Sequence, residues 1–155
     1  MEPTCEITYY SNGNVATKAW RIGNKLHRKG APAFIAYRYD GSLEMKVWYI
    51  NDQEYCEDGG ASEICYFANG SVSYEEWYDG ERQHRVDGPA CIRYHENGAV
   101  KAMMWYVDDE LHCTSGPAYR MYHADGSLKL EEWYWHGNEM TKDQWERSML
   151  VGESK

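Results

Sequence analysis

The sequence predicts an all-β fold, an elongated single-layer array of antiparallel β-hairpins with a short C-terminal capping helix. The first observation is a tryptophan that recurs at steps of 28, 29, 28 and 28 residues: Trp20, Trp48, Trp77, Trp105 and Trp133. The second is a glycine with the same steps: Gly13, Gly41, Gly70, Gly98 and Gly126. The third is a tyrosine four residues before each glycine: Tyr9, Tyr37, Tyr66, Tyr94 and Tyr122. Three residue types that keep one spacing across five copies define a tandem repeat of about 28 residues.

The copies are separated by a linker of the form His-Arg-x-x-Gly-Pro-Ala. It occupies residues 27–33, 84–90 and 112–118, and in the last of these Cys113 replaces the arginine. The second copy is degenerate, with Tyr55 for histidine and Gly60 for proline. One extra residue before Tyr66 accounts for the step of 29. We therefore place five repeats in residues 1–140, with breaks near 33, 61, 90 and 118, and a C-terminal unit at 141–155.

Each repeat contains short alternating stretches punctuated by glycine and proline, the pattern of β-hairpins. In the second repeat a three-residue loop at 39–41 sets apolar residues opposite one another: Tyr37 and Leu43, Ile35 and Met45, Ala33 and Val47. A two-residue loop would place Ile35 opposite Lys46 instead. The apolar pairing favours a type I turn with a G1 bulge, in which Gly41 is left-handed.

The other four turn glycines are expected to have positive φ as well. The same register predicts one packed, apolar face and one wet face. The charged side chains assigned to the wet face are Lys18, Glu44, Lys46, Glu75, Lys101, Lys129 and Glu131.

The aromatic rows are the strongest candidate for a functional surface. Four of the repeat tryptophans are followed directly by a tyrosine: Tyr49, Tyr78, Tyr106 and Tyr134. Exposed aromatic ladders stack nucleic-acid bases or grip protein partners. A position that recurs in every unit also suits stacking between repeats. We favour the stacking role and keep the exposed binding stripe as the alternative.

A recurring histidine, His27, His84 and His112, resembles a column of metal ligands. Two sheet strands separate successive repeats, so these side chains lie on the order of 10 Å apart, whereas zinc ligands lie ~2 Å from one point. We expect each histidine to cap a turn or stack on an aromatic ring. For Arg28 and Arg85 we favour pairing with a carboxylate such as Asp87 over anion binding.

Catalytic patterns are weak. Carboxylates adjoin at Glu75-Glu76, 108–110 and Glu131-Glu132, but neighbours on a strand point to opposite faces, and glycosidases need two carboxylates in one cleft. Cys113 follows His112, yet nothing orients the two as a nucleophile and base. The sequence thus predicts no catalytic residue, no metal site and no cofactor.

The two ends of the chain differ. Thr141 and Gln144 form a capping box, Trp145 and Met149 are spaced i, i+4, and Gly152 is a stop signal. They predict a helix from about 142 to 150 over the last hairpin. The N-terminal segment at 6–9 starts in mid-repeat, so its strand is expected to be a bare edge that pairs with other chains, most simply as a homodimer.

Composition narrows the classes of partner. The chain has 16 basic and 25 acidic residues, a net charge of −9, which disfavours nucleic acid and anionic membrane. The five cysteines form no C-x-x-C pair, and no secretory or membrane-spanning segment is evident. We expect a soluble intracellular protein with reduced thiols, and partners that are neutral or basic proteins.

The tandem W-Y-x-x-G-x-x-H-R-x-x-G-P-A motif with Y-x-x-x-G, over residues 6–140, resembles MORN-like repeat proteins. It is most similar to the long variant, of about 28 residues per unit, found in large DNA viruses of amoebae such as the marseilleviruses. The resemblance implies an extended β array with a non-catalytic role in scaffolding, dimerisation, membrane-adjacent tethering or partner binding. It also implies a viral structural or host-interaction protein, located in the host cytoplasm or the virion. An aromatic-lined module for nucleic acid or a membrane surface is the alternative.

Overall fold

The computed structural model describes residues 1–152. The first strands are β1 (Thr4–Tyr9), β2 (Val15–Ile22), β3 (Lys25–Leu26), β4 (Phe34–Tyr37), β5 (Leu43–Val47), β6 (Tyr49–Ile50), β7 (Gln53–Glu54), β8 (Glu63–Tyr66) and β9 (Val72–Glu76). The others are β10 (Tyr78–Asp79), β11 (Arg82–Gln83), β12 (Cys91–Tyr94), β13 (Val100–Met104), β14 (Tyr106–Val107), β15 (Glu110–Leu111), β16 (Tyr119–Tyr122), β17 (Leu128–Trp135) and β18 (Asn138–Met140), followed by helix α1 (Lys142–Gly152). The predicted all-β hairpin fold with a short C-terminal helix is confirmed.

The long strands form one antiparallel sheet in the order β1-β2-β4-β5-β8-β9-β12-β13-β16-β17-β18, with β3 added beside β2. Each repeat supplies one hairpin, and its second strand pairs with the first strand of the next repeat. Because strand order follows chain order, every repeat packs on its sequence neighbours, and stability is shared between adjacent units.

The hairpin turns have the predicted geometry. The Gly41 N–H donates to the Arg38 carbonyl at 2.9 Å, and the Arg38 N–H donates to the Ser42 carbonyl at 2.8 Å, which closes a three-residue loop. The turn glycines share one left-handed conformation: Gly13 and Gly41 at φ 86°, Gly70 and Gly98 at 84°, Gly126 at 85°. This confirms the type I turn with a G1 bulge in all five repeats.

Beyond the turn, the predicted register is wrong. The observed pairs in the second repeat are Tyr37–Leu43, as predicted, then Ala36–Met45, Ile35–Lys46 and Phe34–Val47. Glu44 is skipped, so the outgoing strand contains a second bulge that the turn residues do not signal. The same shift occurs in the other four hairpins. The predicted pairs Ile35–Met45 and Ala33–Val47 therefore do not form.

A one-residue shift exchanges the two faces of a strand. The buried face carries mostly small side chains: Ala19, Ala36, Val47, Cys91, Ala102 and Met104. The opposite face mixes isoleucine with charge, because Ile64 pairs with both Lys46 and Glu75. Because of this one-residue shift, the prediction that isoleucines and charged side chains occupy different faces of the sheet is wrong.

Each repeat continues past its tryptophan into a second, much shorter hairpin. In β6–β7 the loop residues Asn51 and Asp52 have φ 56° and 69°, the conformation of a type I′ turn. Trp48 lies at the corner between the two hairpins. Its N–H donates to the Ser62 carbonyl of the next repeat at 2.8 Å, and its carbonyl accepts from the Tyr55 N–H at 3.1 Å.

Helix α1 begins at the predicted residue and runs two residues past the predicted end. The capping box is reciprocal: the Thr141 N–H donates to Gln144 Oε1 at 2.8 Å, and the Gln144 N–H donates to Thr141 Oγ1 at 3.3 Å. Trp145 Nε1 donates to the Cys113 carbonyl at 2.9 Å. The helix thus turns back over the linker between the fourth and fifth repeats.

Candidate interaction surface

All five repeat tryptophans are half-buried. The Arg28 guanidinium lies 4.0 Å from the ring centroid of Trp20, and that of Arg85 lies 4.2 Å from Trp77. These are cation–π contacts within a single repeat. Arg85 also pairs with Asp87 at 3.3 Å, the carboxylate that the sequence favoured. The structure thus places an arginine, rather than another tryptophan, over these two indoles.

The linker arginine is replaced by a cysteine in two repeats, at Cys56 and Cys113. At Trp105 the cation comes from β16 instead of the linker: the Arg120 guanidinium lies 5.1 Å from the ring centroid. A cleft of about 420 Å³ opens beside Trp105, between the linker segments 85–88 and 112–115. Its lining mixes apolar, charged and hydroxyl side chains, so it does not select one class of ligand.

The tyrosines that follow the tryptophans hold internal hydrogen bonds. The hydroxyl groups donate to nearby acceptors: Tyr49 to Glu54 at 2.9 Å, Tyr78 to Glu76 at 3.1 Å, Tyr134 to Glu132 at 3.2 Å, and Tyr106 to the Met104 sulfur at 4.0 Å. All four rings are half-buried. Their polar ends are thus engaged within the fold.

A carboxylate cluster on the buried face was missed by sequence reasoning. Glu63 and Glu76 pair across β8 and β9, and Glu54 lies near both. Burial raises the pKa of Glu54, and the charges of Glu63 and Glu76 raise it further against the hydrogen bond from Tyr49. Tyr74 donates to Glu63 at 2.5 Å. Each of these glutamates is half-buried.

The recurring histidines link successive repeats. Their Nδ1 atoms meet the short hairpin of the following unit: His27 with Asn51 Oδ1 at 2.9 Å, His84 with the Asp108 N–H at 3.3 Å, and His112 with the His136 N–H at 3.2 Å. The prediction was that each histidine caps a turn or stacks on an aromatic ring: His84 and His112 accept from turn N–H groups, and His112 also packs against Trp135 at 4.4 Å between ring centroids. Within residues 1–152, no three His, Cys, Asp or Glu side chains are grouped as a metal would require.

The outermost strand, β1, is exposed at all six positions. Ile7 is 43% exposed and Tyr9 is 62% exposed. In the part of the chain that the structure describes, the outer edge of β1 pairs with no strand. At the other end, β17 pairs with β18 only over Trp133–Trp135, so residues 128–132 pair with no described strand on that edge, and the start of α1 at Lys142 and Gln144 lies beside Glu131 and Glu132. These edges are the two ends of the main sheet in the described chain.

No family model, no curated protein and no solved structure matches this chain. The resemblance to MORN-like repeats therefore rests on the motif alone. Helix α1 lacks the length and apolar character of a membrane-crossing helix, and residues 1–152 contain no other candidate.

Two features of the structure were not predicted from the sequence. The acidic cluster joins residues 22 positions apart in the chain, and only the bulged register brings them to one face. The open edge of β17 was also missed, because the C-terminal helix suggested a cap for the whole end. The sequence feature that could have indicated this edge is the run Leu128-Lys129-Leu130. In the structure its two leucines are 52% and 40% exposed.

Proposed function

We propose that this protein is a non-enzymatic repeat scaffold that binds protein chains, including its own, through an edge of its sheet. The observation that carries the proposal is β1, whose six residues are all exposed and whose outer edge is unpaired among residues 1–152. A strand in this state offers N–H and C=O groups to an added strand. Strand addition of this kind is a common mode of protein recognition.

The internal chemistry supports a structural role. Tyrosine hydroxyls hold the half-buried glutamates, and linker arginines cover Trp20 and Trp77. These polar and aromatic groups are thus engaged within the repeat. The resemblance to repeats of giant DNA viruses extends the proposal to a viral structural or host-interaction protein.

The alternative is an aromatic-lined module for nucleic acid or a membrane surface. The net charge of −9 opposes binding to phosphate groups. One face of each of the two arginine-covered indoles is also occupied by a guanidinium group, which a stacking base would have to displace. We therefore place protein partners ahead of nucleic acid and lipid.

Sedimentation velocity over a hundredfold range of concentration tests the proposal. We expect the weight-average mass to rise above the 18.1 kDa of one chain. The same samples are titrated with single-stranded DNA and with anionic vesicles at low salt, where electrostatic binding is strongest. A strict monomer that binds DNA or vesicles would overturn the proposal in favour of the alternative.

A further inference from the structure

The interface between repeats is built four times within the chain. In each case an outgoing strand pairs with the next incoming strand over three residues, for example Thr17–Ala36, Lys18–Ile35 and Ala19–Phe34. The open edge of β1 is the incoming half of this interface. The open edge of β17 at residues 128–132 is the outgoing half. The two ends of one chain are therefore complementary.

We infer that β17 of one copy pairs with β1 of the next, which joins copies head to tail. The inference rests on the proposed function and names the partner as a second copy of this chain. Strand direction permits it, because β1 and β17 run antiparallel in the sheet order, as β2 and β4 do. The internal register would set Leu130 opposite Thr8, Glu131 opposite Ile7 and Glu132 opposite Glu6.

Tyr9 finds an acceptor for its hydroxyl in this arrangement. Inside the chain, Tyr94 donates to Glu75 of the preceding repeat at 2.6 Å. Glu131 occupies the repeat position of Glu75, and Tyr9 that of Tyr94. The junction would therefore repeat a bond that exists between the third and fourth repeats, here to a carboxylate that also pairs with Arg120 at 3.4 Å, using a tyrosine that is 62% exposed in the single chain.

His123 supplies a second matched contact. His95 Nε2 lies 3.1 Å from the Tyr122 carbonyl of the next repeat, and Tyr10 donates to the Tyr37 carbonyl at 2.8 Å from the equivalent position. His123 occupies this position in the last hairpin and is exposed. In the junction it would meet the Tyr9 carbonyl of the following copy.

Backbone N–H groups on the free edges of β1 and β17 point towards the proposed partner strand. The Tyr10 N–H donates to Asn14 and the Tyr10 carbonyl accepts from Gly13, both inside the first hairpin. Alternation along the strand then directs the N–H groups of Tyr9 and Ile7 outward. By the repeat equivalence with Lys18, Glu131 also directs its N–H outward.

One contact opposes association. Glu6 and Glu132 would face each other across the junction, and like charges directly opposite are unfavourable. Each has a partner within its own chain, Arg21 at 3.2 Å for Glu6 and Tyr134 at 3.2 Å for Glu132. Salt screens this repulsion as well as the net charge of −9. Association is therefore expected to strengthen as ionic strength rises.

The competing arrangement is a two-fold dimer in which two β1 strands pair. In the register that sets Ile7 against its own copy, Tyr9 would face Cys5, with no carboxylate opposite the tyrosine hydroxyl. It would also leave the edge of β17 bare. Pairing through β17 satisfies both ends and is the arrangement that the contacts favour.

Two proline variants separate the arrangements. Ile7→Pro removes an outward N–H from β1, and Glu131→Pro removes one from β17, positions at which edge strands tolerate proline. Ile7→Thr and Glu131→Thr are the matched controls, since they change the side chain and keep the N–H. Sedimentation velocity measures mass, and far-UV circular dichroism checks the fold.

Head-to-tail pairing predicts that each proline variant alone is a monomer, with at least a tenfold loss of association, while their mixture forms a 1:1 complex. A dimer of Glu131→Pro alone would overturn it in favour of β1–β1 pairing, and the proposed function would survive. A monomeric parent at all concentrations and salts would overturn both claims of self-association.

A second measurement does not depend on proline. Glu6→Cys and Glu132→Cys are placed on separate chains, because the junction sets these positions opposite each other. Mild oxidation of the mixture should give a disulfide-linked pair on non-reducing gels, above the background of the parent thiols. A cross-link no more abundant in the mixture than in either variant alone would contradict the junction.

Discussion

The middle of the sheet and its first hairpin share one backbone plan and differ in burial. Ala33 and Ala90 are fully buried in the interior repeats, whereas Cys5, which occupies the same repeat position, is exposed. Ile7 is 43% exposed, while its equivalent Ile92 is half-buried. The difference shows that a repeat does not bury its own residues. A neighbouring repeat does so, and β1 has no such neighbour among residues 1–152.

Thiol reactivity should show the largest contrast between the two regions. Cys91 is 1% exposed, and burial raises the pKa of its thiol to about 12. Because the thiolate is the reactive form, this raised pKa slows the reaction of Cys91, and its burial also keeps the reagent away from the sulfur. We expect Cys5 to react promptly with a maleimide at pH 7.5 and Cys91 to react on unfolding.

Peptide mapping after timed quenching assigns the modified cysteine, and the urea-unfolded chain gives the rate of each site without protection. Comparable native rates at Cys5 and Cys91 would show that the interior opens as readily as the edge. Slow modification of Cys5 at high protein concentration, with fast modification after dilution, would instead indicate that a second chain covers β1.

Truncation of apolar side chains should give the next largest contrast. Val47 is 2% exposed in the middle of the sheet, so Val47→Ala removes buried methyl groups and leaves a cavity. We expect a loss of about 1.5–3 kcal/mol in the free energy of unfolding. Ile7→Ala, on the exposed edge, should change it by less than ~0.5 kcal/mol.

Urea unfolding at a concentration where the chain is monomeric measures both variants, with an unchanged m-value as the check on the unfolding model. Equal losses for Val47→Ala and Ile7→Ala would contradict the description of β1 as a bare edge. The interior estimate also fails if Val47→Ala costs no more than a typical surface change.

The repeat made much of this fold predictable. Tryptophan and glycine spacing located the hairpins, and a glycine after Asn or Asp determined the turn, because positive φ is accessible mainly to glycine. Thr141 and Gln144 specified the helix start. These features are local, so the residues that cause them lie within a few positions of one another.

The register beyond the turn was not predictable in the same way. Glu44 lies in a bulge, and no glycine or proline next to it in the sequence marks that bulge. The choice between Ile35–Met45 and Ile35–Lys46 depends on packing against strands of the neighbouring repeats, which a single hairpin does not encode. The acidic cluster follows from that register, so the error in the faces also hid the contact between Glu63 and Glu76.

The pH dependence of stability should show the smallest contrast between the two regions. The comparison is between Glu54, whose carboxylate is partly buried, and Glu6, whose side chain is exposed on β1. Burial and two neighbouring carboxylates raise the pKa of Glu54 in the folded chain. The folded state then binds more protons than the unfolded state between the ordinary glutamate pKa of ~4.3 and the raised value. Stability contributed by this group therefore falls as pH rises through that window.

Glu54→Gln should remove this dependence and raise the melting temperature at pH 7. The Oε2 atom of Glu54 is buried and meets no hydrogen-bond donor within residues 1–152, so loss of the charge relieves a penalty of about 1 kcal/mol, or roughly 2–4 °C. Glu6→Gln, at an exposed glutamate of the edge strand, is the matched control for the substitution itself. Thermal melts of all three proteins from pH 4.5 to 7.5 make the comparison. A Glu54→Gln protein that is less stable than the parent at pH 7 would contradict this prediction. It would mean that favourable contacts of the carboxylate outweigh the cost of its burial, so that the interior charge is no less favourable than an exposed one.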